Sequence, residues 1–320
     1  MIVTVAPNPS LDRTIVVDFL KRGAVNRASV SSSEPSGKGV NVAVALNAHG
    51  IDVVAVLPVG GFSGFQVVQL LDALGVPHVS VPITGEVRSN ISLIEPDAIV
   101  TKINEVGPTL SPDEASRLVR AVLNRLDEGD WLVASGTLPA GAVEAIYPSL
   151  VRGAQEVGAR VAIDTSGEPL DRAIAAGPDL IKPNVSELSD VTGRDIVSLG
   201  DVVMAAESLR ERGAGAVLAS IGPDGAVLVA DGGRWHAAAP AIEVVSAVGA
   251  GDALLAGFVA AGGAGPEALR TAMGWAASAV QLPGTLSASS APSIPIDITG
   301  DIDFGRKLTA PCRTSDAPDI

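Results

Sequence analysis

The sequence predicts an α/β protein, a three-layer α/β/α sandwich around a mostly parallel central sheet, carrying a small β-sheet lid. Three observations predict it. Short β-branched runs alternate with apolar segments of helical length from residue 2 to about residue 281, the rhythm of βαβ units. Polar, glycine-rich stretches follow the predicted strands, as loops at the carboxyl edge of a parallel sheet do. Two stretches before residue 107 break the rhythm with strands that lead into no helix, and these supply the lid.

Residues 2–6 read as a buried strand ended by Pro7-Asn8-Pro9, and two β-branched segments, Asp12 to Asp18 and Val25 to Ser33, follow. Ser36-Gly37-Lys38-Gly39 opens a helix in which Val40, Ala43 and Val44 give the apolar spacing and Gly50 the stop. Strand Val53–Val59 and helix Phe65–Leu74 come next. In residues 87–105, Arg88, Asn90 and Ser92 alternate with Ile91 and Leu93; after a Glu95-Pro96-Asp97 turn, Lys102 and Asn104 alternate with Ile103. A period of two puts each polar set on one face of a hairpin. That face is either merely solvated or holds an anion and hydroxyls, for which Arg-x-Asn beside Lys-x-Asn is better suited.

The rhythm resumes at Ser111-Pro112-Asp113-Glu114, a capping box that starts a helix to about Asp127. Strand Trp131–Ala134 runs into Ser135-Gly136-Thr137-Leu138-Pro139-Ala140-Gly141 and then a helix. Strand Arg160–Ile163, helix Glu168–Ala175 and strand Leu180-Ile181 lead to Lys182-Pro183-Asn184-Val185-Ser186-Glu187. A helix over 201–211 and strand Ala216–Ala219 precede Ser220-Ile221-Gly222-Pro223-Asp224-Gly225, with strands at 226–230 and 234–237. Helices at 252–261 and 267–281 close a domain spanning 1–286. Residues 287–320, rich in Ser, Pro and Asp without a sustained period, read as a poorly structured tail.

Composition excludes several functions. Apolar residues make up 47% of the 320 but aromatics only 3%, so the core is built from Ala, Val, Leu and Ile. A formal net charge of −14 argues against nucleic acid or an anionic membrane as partner, and a phosphorylated ligand needs local Lys and Arg. Cys312 is the one cysteine, which excludes an internal disulfide and a cysteine metal cluster. His49, His78 and His236 stand apart and give no basis for a histidine metal site. Neither a leader nor a membrane span is visible, so a cytoplasmic protein is expected. Gly37-Lys38-Gly39 lacks the upstream glycine and the Ser or Thr of a nucleotide P-loop.

The run Ser246-Ala247-Val248-Gly249-Ala250-Gly251-Asp252 opens directly into the apolar segment Ala253 to Val259. Free backbone N–H groups and the macrodipole make a helix start attractive to anions, and glycines let the backbone come close. Asp252 at that junction is either an ordinary helix-start residue or a base beside a bound anion, suited to phosphoryl transfer. Asn184 and Glu187, three apart at a helix start, either cap it or orient Mg²⁺ through water.

In combination these motifs resemble the ribokinase-like (PfkB) carbohydrate kinases. The Ser36–Asn41 turn, Ser135–Gly141, Lys182-Pro183-Asn184-x-x-Glu187, Ser220-x-Gly222-x-x-Gly225 and Gly249–Asp252 stand in that family's order over about residues 1–285. Asn8-Pro9-Ser10-Leu11-Asp12, Gly37–Val42 and Arg88-Ser89-Asn90 look like the 1-phosphofructokinase and tagatose-6-phosphate kinase branch. Thr101-Lys102-Ile103-Asn104-Glu105-x-Gly107-Pro108 looks more like the former.

The resemblance implies ATP and Mg²⁺ as cofactors and a phosphorylated ketohexose, above all fructose 1-phosphate, as substrate. Tagatose 6-phosphate and fructose 6-phosphate are alternatives, and a non-catalytic sugar-phosphate or nucleotide sensor is a rival of another class. The resemblance makes Asp252 the base and the Gly249, Ala250 and Gly251 amides the anion hole. Asp12 and Asn41 would hold sugar hydroxyls; Lys38, Arg88, Lys102 and Arg27 would hold the substrate's phosphate. Gly37, Gly39, Asn90, Ser135 and Gly136 would line the same pocket. Ser220, Gly222, Gly225 and Gly251 would line the nucleotide site, with Lys182, Asn184 and Glu187 near the phosphates and Asn184 and Glu187 toward the metal. A homodimer through the lid is implied, with Arg27 reaching the neighbouring site. Ala247, Ser36 and Ser63 depart from the residues usual in the family.

Overall fold

The computed structural model describes residues 1–96, 99–141, 145–282 and 294–312. The chain starts with β1 (Ile2–Val5), crosses into the lid strands β2 (Ser10–Val16) and β3 (Val30–Ser36), and returns as α1 (Lys38–Ala48). Strand β4 (Val53–Val59), α2 (Gly61–Ala73) and β5 (His78–Pro82) follow, before the lid hairpin β6 (Arg88–Ile94) and β7 (Val100–Asn104). Then come α3 (Pro112–Leu123), β8 (Trp131–Ser135), α4 (Ile146–Glu156), β9 (Arg160–Asp164), α5 (Gly167–Ile174), β10 (Leu180–Ile181) and α6 (Val185–Thr192). The rest of the chain forms β11 (Ile196–Ser198), α7 (Leu199–Glu211), β12 (Ala216–Ser220), β13 (Ala226–Ala230), β14 (Gly233–Ala238), α8 (Ala250–Ala260), α9 (Gly265–Ala279), β15 (Asp297–Thr299) and β16 (Lys307–Cys312).

Ten strands form the central sheet in the order β15-β14-β13-β12-β10-β9-β8-β1-β4-β5. From β12 to β5 the pairings are parallel; β13, β14 and β15 add an antiparallel edge. Alternation places Val54 and Val56 of β4 in one core and Val53, Ala55 and Leu57 in the other. The first core is closed by α3 to α7, the second by α1, α2, α8 and α9, which gives the three layers. Helix α1 lies hard against β1: a Cβ on Gly39 would sit 2.3 Å from the Val5 carbonyl oxygen, so only glycine fits.

The lid is a separate four-stranded sheet, β3-β2-β6-β7. Its two outer pairings are antiparallel, while β2 and β6 run parallel. The capping box at α3 is present, with Ser111 and Glu114 bonding each other's backbone N–H. Asp97 of the expected turn lies outside the described residues.

The expected tail needs correction. Residues 297–299 and 307–312 are strands: β15 pairs with β14, and β16 pairs with β11. Ile302 and Leu308 are buried in the core, so apolar anchors hold the segment where no period was visible. The 286/287 boundary, residues 287–293 and residues 313–320 lie outside the described residues.

Candidate active site

At the carboxyl edge of the sheet, β9 ends at Asp164, whose side chain is fully buried. The Lys38 Nζ lies 2.8 Å from its Oδ1 and the Lys182 Nζ 3.1 Å from its Oδ2. Lys38, the first residue of α1, also donates to Glu187 Oε1 at 3.4 Å. Burial works against the Lys38 charge, but the Asp164 and Glu187 carboxylates outweigh it and hold the ammonium above its ordinary pKa. Lys182 follows β10, and its Nζ lies 3.3 Å from where a Cβ on Gly251 would be.

Gly251 belongs to the first turn of α8. The turn is entered through Gly249 in the left-handed region, at φ +81°, which glycine adopts without strain. The start of α8, where backbone N–H groups lack helical partners, therefore lies beside the Lys182 ammonium. Asp252 in the same turn is buried, and its Oδ2 accepts from the Asn41 Nδ2 at 2.8 Å. Burial first, and then the Asp164 charge, push the Asp252 pKa up to about 6; the Asn41 bond, Lys182 and Lys38 pull the other way. A carboxylate poised just below neutrality beside two ammoniums and a helix N-terminus can take up a proton while an anion is held.

The lid supplies the facing wall. Pairing Ser10 with Arg88 and Asp12 with Asn90 puts all four on one face. Asn90 Nδ2 donates to Ser10 Oγ at 3.1 Å and to Asp12 Oδ1 at 2.9 Å. Arg88 reaches the carbonyl oxygens of Asn8, at 3.2 Å, and Glu105, at 3.3 Å; burial lowers its pKa and Asp12 opposes that. Wall and rim are continuous, because Ser10 pairs with Ser36 and α1 begins two residues later.

Buried polar atoms concentrate here. Asn41 Oδ1, Asn90 Oδ1, Arg88 Nε, Ser135 Oγ and Asn8 Oδ1 have no hydrogen-bond partner among the described residues. Native interiors hold few such atoms, and each costs about 1–3 kcal/mol unless something pairs with it. Their occurrence on the lid face, on α1 and at the end of β8 is what a site that pairs them with a ligand would leave.

The structure brings together Asp12, Arg88 and Asn90 on the lid face, and Lys38, Asn41, Lys182, Glu187, Gly251 and Asp252 on the rim. Ser135 ends β8 and Gly136 follows it, its N–H donating to the Asp164 carbonyl at 2.8 Å. Gly37 is the N-cap of α1, and Gly39 serves the contact with Val5. Ser220 bridges to Asn184, and Gly222 to Gly225 form a tight turn beside it. Lys102 is exposed on β7 opposite Ser92, and Arg27 is exposed between β2 and β3. Ser63 bonds to Glu86 at the start of α2.

Three placements add detail to the sequence reading. Lys38 is engaged by Asp164 and Glu187 on the rim, Arg88 bonds to the Asn8 and Glu105 carbonyls, and Lys102 is exposed on β7. Asn41 donates one of its two amide N–H groups to Asp252, so the carboxylate takes part of the polar capacity that was assigned to sugar hydroxyls, while its oxygen has no partner among the described residues. Asn184 and Glu187 form a reciprocal capping box, each bonding the other's backbone N–H at 2.9 Å. Asp164 escaped notice, and Asn8 was quoted within its motif but given no role; the available signal for Asp164 was its position at a strand's carboxyl end.

The pfkB family carbohydrate kinase model matches residues 7–292. The 1-phosphofructokinase of Rhodobacter capsulatus is 37% identical over 275 residues, 85% of this chain and 86% of that protein. The structure of phosphofructokinase-2 from Escherichia coli in complex with fructose-6-phosphate has a TM-score of 0.83 at 30% identity, covering 90% of this chain and 95% of that one. Arabidopsis thaliana ribokinase, complexed with ribose and ATP, shares the fold at 21% identity, with a TM-score of 0.71 over 90% of this chain and 96% of that one. Sequence and fold agree over nearly the whole described length, and the chain belongs to the pfkB family of carbohydrate kinases.

Proposed function

We propose that the protein transfers the terminal phosphoryl group of ATP to a ketohexose phosphate, converting fructose 1-phosphate to fructose 1,6-bisphosphate. The observation that carries this reading is the buried Asp252, its pKa raised to about 6, at the start of α8 and hydrogen-bonded to Asn41 of α1. As the sugar oxygen bonds to the γ-phosphorus and the bond to the ADP oxygen breaks, Asp252 accepts the hydroxyl proton. Asn41 orients that carboxylate. The α8 amides, Lys38 and Lys182 meet the charge on the migrating group, where fixed dipoles count most. The lid cations Arg88 and Lys102, with Arg27, hold the sugar's own phosphate, and Asp12 and Asn90 its hydroxyls. Ser220 to Gly225 line the nucleotide site.

The donor chemistry fits Mg²⁺. Among the described residues no group of three or more His, Cys, Asp or Glu could hold a metal alone. Asn184 and Glu187 offer oxygen only, as suits an ion that keeps its waters and is shared with substrate phosphates. An ion held there through water by Asn184 and Glu187 would offset phosphate charge. The lid face opposite the site carries Ile15, Ile91, Leu93 and the 52%-exposed Ile103, which supports a homodimer through the lid; sedimentation should show twice the chain mass. Among the described residues no helix is long and apolar enough to cross a membrane, which supports a cytoplasmic location.

An ADP-release assay across fructose 1-phosphate, fructose 6-phosphate, tagatose 6-phosphate and free fructose tests the reading. The highest kcat/KM should fall to fructose 1-phosphate. Preference for fructose 6-phosphate, the sugar in the E. coli relative's complex, would move the assignment within the family; preference for free fructose, or no turnover, would overturn it. Arg88→Ala should raise KM for the phosphosugar on the order of tenfold or more, as lost charge-assisted bonds do, with KM for ATP little changed. Equal effects on both would remove Arg88 from the phosphate site.

A further inference from the structure

Asp224 closes the tight turn Gly222–Asp224 that follows β12, and its carboxylate is buried although the turn lies at the sheet's rim. Among the described residues, the hydrogen-bond partners of that carboxylate come from the C-terminal segment. Arg306 Nη2 donates to Oδ1 at 3.1 Å, Thr309 Oγ1 to Oδ1 at 3.1 Å, and the Thr309 backbone N–H to Oδ2 at 2.6 Å. On the turn's other side the His236 ring, from β14, meets the Asp224 carbonyl oxygen at 2.7 Å. Burial keeps the pKa of His236 below its ordinary value, so the neutral ring donates from Nε2.

The clamp is itself anchored. The Arg306 and Phe304 carbonyls accept from Leu199 and Gly200 at the start of α7, at 2.9 and 3.2 Å. A Cβ on Gly200 would sit 2.8 Å from the Phe304 oxygen, so the segment lies flush against the helix. At its other end the turn is stitched to the phosphate side of the site: the Ser220 N–H donates to the Pro183 carbonyl at 3.0 Å, and Ser220 bridges Asn184. A hydrogen-bonded chain thus runs from Arg306 and Thr309 through Asp224 to the segment bearing Lys182 and Asn184.

We infer that residues 302–309 are a positioning element of the nucleotide half of the site, with Arg306 and Thr309 acting through Asp224 to set the Ser220–Gly225 turn. This rests on the proposal that the turn lines the ATP site. A brace that merely adds stability would weaken both substrates alike or neither; a positioning element acts on the nucleotide alone.

The test uses the full chain carrying Arg306→Gln and Thr309→Ala. ADP affinity is measured by calorimetry, and KM for ATP and for fructose 1-phosphate by steady-state kinetics. ADP Kd and ATP KM should rise about five- to tenfold, as when bonds to a charged group are lost, while the phosphosugar KM stays within about twofold. Thr309→Ser, which keeps the hydroxyl, should bind ADP as the unmodified chain does. Binding is reciprocal, so ADP should also slow hydrogen exchange at the amides of 307–309 in the unmodified protein, and fructose 1-phosphate alone should not. The exchange arm needs no variant to fold. An unchanged ADP Kd, equal losses for both substrates, or exchange indifferent to ADP overturns the inference. Failure of the unmodified chain to bind ADP would instead overturn the ATP reading, and ADP binding without sugar turnover would overturn the acceptor assignment while leaving the clamp testable.

Discussion

Asp252→Asn is expected to lose turnover by about a hundred- to ten-thousandfold, the range for a missing general base, and to become more stable. The amide still accepts the Asn41 bond and matches the carboxylate in shape, so ATP should bind as before. The stability gain follows from the sign of the pKa shift. Folding raises this carboxyl from 3.8 to about 6; the ionised form is disfavoured in the fold, and the penalty grows from pH 3.8 and is full above pH 6. At 1.36 kcal/mol per pK unit that is roughly 2–3 kcal/mol at pH 8. Urea unfolding at pH 8 should show Asp252→Asn ahead by that order, and at pH 4 the advantage should vanish. The same shift sets the pH dependence of the unmodified enzyme, whose kcat/KM should fall as pH drops through about 6. In a loose transition state the proton leaves late, so this limb reports protonation more than basicity. Retained turnover in Asp252→Asn would refute the assignment of the base.

Asp164→Asn should do the reverse. This carboxylate is wholly buried between two ammoniums, and the Lys182 side chain is only 4% exposed. Removing one partner of a buried pair leaves the other charge uncompensated, a loss of about 3–5 kcal/mol. The thermal midpoint should fall, and Lys38 and Lys182 should lose their common anchor. A second readout is independent of folding: the Asp164 charge is one of the causes that raise the Asp252 pKa. Without it, the acid limb of kcat/KM should move to lower pH. A limb that stays at about pH 6 would show that the two carboxylates are not coupled.

Much of this architecture was legible because local signals and tertiary structure agree. The Ser111 capping box, the Gly50 stop after α1 and the period-two alternation of Arg88, Asn90 and Ser92 each rest on backbone geometry that no neighbour overrides. Strands β15 and β16 were not legible: they are short and show no sustained apolar period, and they are held by pairing to β14 and β11 and by the buried Ile302 and Leu308. Strand β5 has little apolar content and owes its state to the parallel pairing with β4. At the site, the residues that came through lay in short local motifs, glycine-rich around Lys38, Asn41 and Asp252. Asp164 stands alone at a strand end, and its importance arises from Lys38 and Lys182, which are distant in sequence. Asn184 and Glu187 show the opposite ambiguity, since the spacing that caps a helix is also the spacing suggested for orienting a metal.

The lid is joined to the body by four strides of the chain: from β1 to β2, β3 to α1, β5 to β6 and β7 to α3. Its two middle strands come from separate passages yet run side by side, so neither can peel away without tearing the other's pairing. Any displacement of such a sheet carries its strands together. Whatever moves Arg88 must carry Asp12 and Asn90 with it, so the sugar's phosphate and its hydroxyls are gripped or released together.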